Sequence, residues 1–235
     1  MRYALATVLS LILCGAVSLA TAASKEAERL ENAAEVIDEI MKTPEQGIPH
    51  DLLNKAVCVG VIPSEKKFAL GFGGSFGRGA LVCRRGGNGP WGAPSMFTVG
   101  GASAGFQIGG QATDYVLLVM NGKGAEKLLQ SKAKLGADAS VAGGPVGRTA
   151  EGATDLQLHA EILTYSRSRG AFAGVSLSGQ VLKQDNDANK RLYGRELRAQ
   201  DILFKGAVPA PAAAKPLDAA LTKYSPHGGE KFEVK

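Results

Sequence analysis

Glycine interrupts almost every apolar stretch of this chain, and it does so without a fixed period. There are 31 glycines in 235 residues. The runs VCVGVI, KFALGFG, GRGALVCR, PSMFTVGG, SAGFQIGG and TDYVLLVM follow one another from Val57 to Met120. Each is short, rich in β-type residues and punctuated by glycine, serine or proline. Glycine in a helix interior costs about 1 kcal/mol relative to alanine, so these runs read as strands rather than helices. The lack of a Gly-X-Y period excludes a collagen-like fibre. What remains is a sheet whose strands bend sharply or approach one another closely.

Helical patterns flank this region. From Ser24 to Lys42, residues Leu30, Ala33, Ala34, Ile37, Ile40 and Met41 fall on one stripe, with Ser24 placed as an N-cap. The opposite side is mainly acidic, carrying Glu26, Glu28, Glu31, Glu35, Asp38 and Glu39. A membrane-surface helix is normally basic there, so this helix is expected to pack on its own domain. IPHDLLNKA starts a second, short helix, and NGKGAEKLLQSK a third. KLGADASVAGG, LQLHAEILTYSRS and AFAGVSLSG resume the strand pattern, and DNDANKRLYG and RELRAQDILF read as closing helices. The order predicts an α+β fold: a curved, mainly antiparallel sheet or barrel-like core flanked by short helices.

The first 22 residues read as a signal peptide. Arg2 precedes an apolar stretch from Ala4 to Leu19, and Ala20-Thr21-Ala22 fits cleavage after Ala22. An uncleaved anchor or lipidation at Cys14 is disfavoured by the short run and by Leu13 before the cysteine. Residues 23–206 form one domain in this reading. AVPAPAAAKP then starts an Ala/Pro linker and flexible tail over 207–235. The expected location is periplasmic or cell-envelope associated. Cys58 and Cys83 then meet an oxidising compartment, and both a disulfide and two buried thiols stay open.

The chemistry-bearing motifs are few. Gly73-Gly74-Ser75-Phe76-Gly77 matches G-x-S-x-G, but a strand follows it where a nucleophile elbow needs a helix. His50, His159 and His227 have no metal-ligand spacing, and Asp138, Asp155 and Glu161 are scattered. No catalytic residue, metal or cofactor is expected. The formal charge of +5 falls by one when Arg2 is removed. Arg167 and Arg169 are two apart and share a strand face, as do Lys132 and Lys134, while Arg148 follows a glycine-rich turn. If their strands neighbour one another, these five residues form a cationic strip suited to phosphate oxygens. Their alternative is a solvated face paired with carboxylates. Nucleic acid fits poorly, since aromatics are 6% of the chain and dispersed.

The blocks AAEVIDEIMKTPEQGIPHDLLNKAVCVGVIPSEKK, FTVGGASAGFQIGGQATDYVLLVMN, LLQSKAKLGADASVAGGPVGR and AEILTYSRSRGAFAGVSLSG occur in that order. Together they resemble the SYLF domain, from about Ala33 to Phe204. That family occurs in bacterial exported proteins and beside SH3-type or FYVE domains in eukaryotic ones. In eukaryotic members the resemblance implies binding of phosphoinositides or other anionic phospholipids, with actin association in some fungal ones, and no known catalysis; in a bacterial envelope, without phosphoinositides or actin, it implies another anionic lipid. It supplies no catalytic residues to carry over. The acidic helix from Ser24 departs from the basic N-terminal helix of some eukaryotic members. The expected partner is an anionic phospholipid or membrane surface, with an envelope protein as the alternative.

Overall fold

The computed structural model describes residues 25–43, 47–70, 72–103, 111–147, 159–168 and 171–228. The signal segment, Cys14, Arg148, Asp155 and Arg169 lie outside them. The first helix, α1, covers residues 25–41. Helix α2 (His50–Lys55) leads into strands β1 (Cys58–Leu70), β2 (Phe72–Cys83), β3 (Ser95–Ser103) and β4 (Gln111–Val119). Helix α3 (Gly122–Leu128) precedes β5 (Lys132–Lys134), β6 (Val141–Gly143), β7 (Ile162–Ser168), β8 (Ala171–Gly174) and β9 (Val181–Gln184). Helices α4 (Asn186–Tyr193), α5 (Ala199–Leu203) and α6 (Lys215–Tyr224) complete the described chain.

The strands form one sheet in the order β5-β9-β3-β2-β1-β4-β7-β6, with β8 added to β7. All pairs are antiparallel except β6 with β7. The sheet curls into a half-barrel, and its two outermost strands, β5 and β6, are joined only by residues 135–140. That link is a tight turn. The Asp138 side chain accepts from the Lys134 amide at 2.6 Å, and the Gly136 amide donates to the Ala139 carbonyl at 2.8 Å. Gly136 has φ +85°, which favours glycine there. The predicted α+β architecture with a curved, mainly antiparallel sheet is the one observed.

Both faces of the central strands are buried, which explains why DYVLLV reads as continuous apolar sequence rather than an alternation. Val116 and Leu118 of β4 face one core; Tyr115, Leu117 and Val119 face the other. The first core is capped by α1, α2 and α6. Leu30, Ala33, Ala34, Ile37, Ile40 and Met41 pack there, joined by Val36. The second core is closed by Ala125 and Leu128 of α3 and by Ala199 and Leu203 of α5. Close approach explains part of the glycine content. A Cβ at Gly79 would fall 2.7 Å from the Phe97 ring, so that ring packs directly on the β2 backbone.

Cys58 and Cys83 are register partners on β1 and β2 and form a disulfide, with Cα atoms 3.9 Å apart. Ser75 lies inside β2, which continues as strand to Cys83 and offers no strand-to-helix elbow. The C-terminal segment differs from its reading as linker and loose tail. Lys215–Tyr224 is a helix, and Leu217, Ala220 and Leu221 are buried in the first core. The Ala/Pro composition of 207–216 hid the apolar stripe that starts immediately after it.

Candidate functional site

The strand order separates the residues that strand spacing had grouped. Lys132 and Lys134 lie on β5, whereas Arg167 lies on β7, with β9, β3, β2, β1 and β4 between them along the sheet. Arg148 and Arg169 are outside the described residues. Arg167 is also not free for a ligand. Its Nε donates to Asp114 Oδ2 at 2.7 Å, and its other end is ion-paired with Glu39 of α1. Asp114 in turn accepts from the Ser64 amide at 2.8 Å, at a bulge in β1 where Ser64 takes φ 55°. Burial pushes the Asp114 carboxyl upward from its ordinary range, partly offset by that amide. Arg167 thus clamps α1 to the sheet between two acids. Lys132 and Lys134 are not strand neighbours of Arg167, because pairing across the sheet is set by partners far away in sequence.

Lys132 and Lys134 do join a basic surface, but a different one. Residues directly opposite in paired strands share a face. Lys132 pairs with Lys183 on β9, Lys183 with Thr98 on β3, and Thr98 with Arg78 on β2. The next row runs from Lys134 through Val181, Gly100 and Phe76 to Lys66 on β1. With strands about 4.8 Å apart, the first row spans roughly 15 Å. Lys66, Arg78, Lys132, Lys134 and Lys183 are all exposed. Among the described residues, none of the five has a carboxylate within ion-pair distance. An open depression of about 370 Å³ lies between the rows, bordered by Phe76, Thr98, Lys132, Val181 and Lys183.

The neighbouring charges are arranged differently. At the start of α1, Arg29 and Arg191 both contact the buried Glu26, and Arg29 reaches Asp185 at 3.4 Å. Burial lowers the Arg29 pKa most; the two acids counter it, and nearby Arg78 adds a small repulsion. These arginines are occupied in holding α1 to both ends of α4. Acidic side chains Glu31, Glu35 and Asp38 line a separate groove between α1 and α6. The β1-β2-β3-β9-β5 face thus gathers five cations without carboxylate partners among the described residues, and acids collect along α1.

Sequence reading missed Lys66, Arg78, Lys183 and Phe76. Phe76 and Arg78 alternate on β2, a local signal for one shared face. Lys183 had no such signal, because VLKQ is short and its pairing with β5 and β3 is non-local.

The chain matches the family model described as "Ysc84: Las17-binding protein actin regulator" over residues 100–224. Lys132, Lys134 and Lys183 fall within that match; Lys66, Phe76 and Arg78 precede it. The chain is 34% identical over 220 residues to SH3 domain-containing YSC84-like protein 1 of Rattus norvegicus, covering 92% of this chain and 62% of the relative. It is 36% identical over 193 residues to LAS seventeen-binding protein 3 of Saccharomyces cerevisiae, covering 79% of this chain and 41% of the relative. An SH3 domain-containing protein of Schizosaccharomyces pombe is 40% identical over 174 residues, covering 72% of this chain and 40% of the relative. The chain thus spans about three fifths or less of the length of these curated relatives. With its curled half-barrel, its sheet-capping helices and this match across more than half its length, the chain belongs to the Ysc84 (SYLF) domain family.

Proposed function

We propose that this domain is a binding module, not an enzyme, and that it attaches to anionic phospholipid surfaces through the β1-β2-β3-β9-β5 face. The observation that carries this reading is the cluster of Lys66, Arg78, Lys132, Lys134 and Lys183 on one face without carboxylate partners among the described residues. Grouped cations repel one another and raise the free energy of the unbound domain, so such a face is best satisfied by an external anion. Near an anionic bilayer each basic side chain contributes about 1 kcal/mol, falling as salt rises. The test is flotation with phosphatidylglycerol–phosphatidylcholine vesicles at low and high salt. The double variant Lys132→Glu, Lys183→Glu is expected to weaken binding by at least about thirtyfold, the equivalent of about 2 kcal/mol. Binding by the double variant as strong as by the parent overturns the assignment.

A second reading has the same face docking an acidic protein surface. It is favoured by the family's description as Las17-binding actin regulators and by the relative named for binding LAS seventeen. A parent chain that ignores anionic vesicles at low salt, yet holds an acidic protein in a manner lost in the double variant, supports this second reading over the first.

A further inference from the structure

Phe76 stands in the middle of the basic face with half of its surface, 50%, exposed. Among the described residues only Val146, at 43%, is another large exposed hydrophobic. A single exposed apolar side chain is ordinary. Its surroundings here are not. On one side its register partner is Gly100, which has no side chain to cover the ring. On the other side the partner is Lys66, and along its own strand the Arg78 guanidinium lies 5.6 Å from the ring centroid. Lys132 and Lys183 border the depression beside it. A strand residue in this position could be covered by a large residue at 100; instead the ring projects, rimmed by cations.

The geometry points to Phe76 as an interfacial anchor: when the basic face meets an anionic bilayer, this ring enters the boundary between headgroups and acyl chains. This inference rests on the phospholipid reading above and specifies how that site engages its partner. Cations concentrate the domain at the surface and lose strength with salt; a buried ring supplies apolar contact that salt does not screen. The arrangement fits a membrane better than a free phosphate compound, which offers the cations what they need but gives the ring nothing to enter. Lys66 and Arg78 are placed to keep their charged ends at headgroup level while the ring goes deeper.

The experiment uses the full chain and two variants, Phe76→Ala and Phe76→Trp. Vesicles contain phosphatidylglycerol and phosphatidylcholine, with or without bromine on the acyl chains. Removing the ring is expected to lower the partition coefficient about tenfold and to abolish the fraction that stays bound at high salt. The Phe76→Trp emission is expected to shift to the blue on vesicle binding and to be quenched by brominated chains. The native Trp91 is buried and serves as the unquenched reference. Circular dichroism of the free Phe76→Ala chain matching the parent shows that a binding loss is not unfolding. If Phe76→Trp binds the vesicles without blue shift or quenching, the anchor is overturned and the electrostatic reading stands. If the parent chain does not bind anionic vesicles at all, both fall. If Phe76→Ala binds with the parent's affinity and salt dependence, the anchor is overturned by that result alone.

Discussion

Arg84 is a fully buried guanidinium, and no carboxylate among the described residues lies within ion-pair distance of it. It is satisfied by oxygens instead. Nε donates to the Ala56 carbonyl at 3.3 Å, one terminal nitrogen to the Gly89 carbonyl at 3.2 Å, and the other to the Ser225 carbonyl at 2.8 Å. Its flat face lies 3.9 Å from the Trp91 ring centroid, and the Trp91 indole donates to the same Ser225 carbonyl. Burial pushes the Arg84 pKa down to about 10. One side chain thereby joins α2, β2, the turn after β2 and the end of α6. An isolated buried charge is costly, so this residue persists only while every donor has an acceptor. Arg84→Met preserves length and apolar bulk but leaves the Ala56 and Gly89 carbonyls without this donor, while the Ser225 carbonyl keeps the Trp91 indole. Urea unfolding is expected to show a loss of about 2 kcal/mol, at about 1 kcal/mol for each orphaned carbonyl. A loss below about 1 kcal/mol would show that water replaces the guanidinium at little cost.

Between elements, Glu161, just before β7, ties α3 and the start of β6 to β7. Lys127 of α3 reaches both its carboxylate oxygens at 2.7 Å, the Ser140 amide donates to Oε2 at 2.9 Å, and the Glu161 amide donates to the Ser140 hydroxyl. Burial pushes the Glu161 carboxyl up, but the Lys127 and Ser140 contacts outweigh it and hold the pKa below the ordinary 4.5. The folded chain therefore takes up this proton less readily than the unfolded one. The stabilisation is present above pH 4.5 and is lost as pH falls through the lower folded value. Thermal unfolding from pH 7 down to 3 is expected to show that Glu161→Gln is less stable than the parent at pH 7, by about 1–2 kcal/mol. The gap should narrow at acid pH; a constant gap would mean the charge plays no part. Nothing in the sequence pointed to this contact, since Glu161 looked like a scattered acid. Local pattern showed what lies within an element: the α1 stripe, the short strands and the doubly buried β4. Pairing lies between elements. The placement of β9 beside β3, with β5 at one edge and β7 near the other, depends on how the whole sheet curls. That is why Lys132 and Lys134 were legible as basic strand residues while their companions Lys183 and Arg78 were not.

At the scale of the whole molecule, the two cores and the buried arginine set where the folding unit ends. Composition placed that end at 206, before the Ala/Pro segment. The structure carries the unit through α6, whose Leu217, Ala220 and Leu221 share a core with α1 and α2, and on to the buried Ser225 beneath Arg84. α6 also meets α1 at the surface, where the Tyr224 hydroxyl donates to Asp38 at 2.8 Å and Lys223 approaches the same carboxylate at 3.1 Å. A chain ended after Gly206 would lose the burial of two leucines, about 2 kcal/mol each, and would strip Arg84 of its strongest acceptor. A total near 5 kcal/mol is comparable to the entire stability of many domains. The truncated chain is therefore expected to bind a hydrophobic dye strongly and to unfold at much lower urea than the full chain. A truncation at 206 as stable as the full chain would mean that α6 merely rests on the domain, and would return the boundary to where composition first drew it.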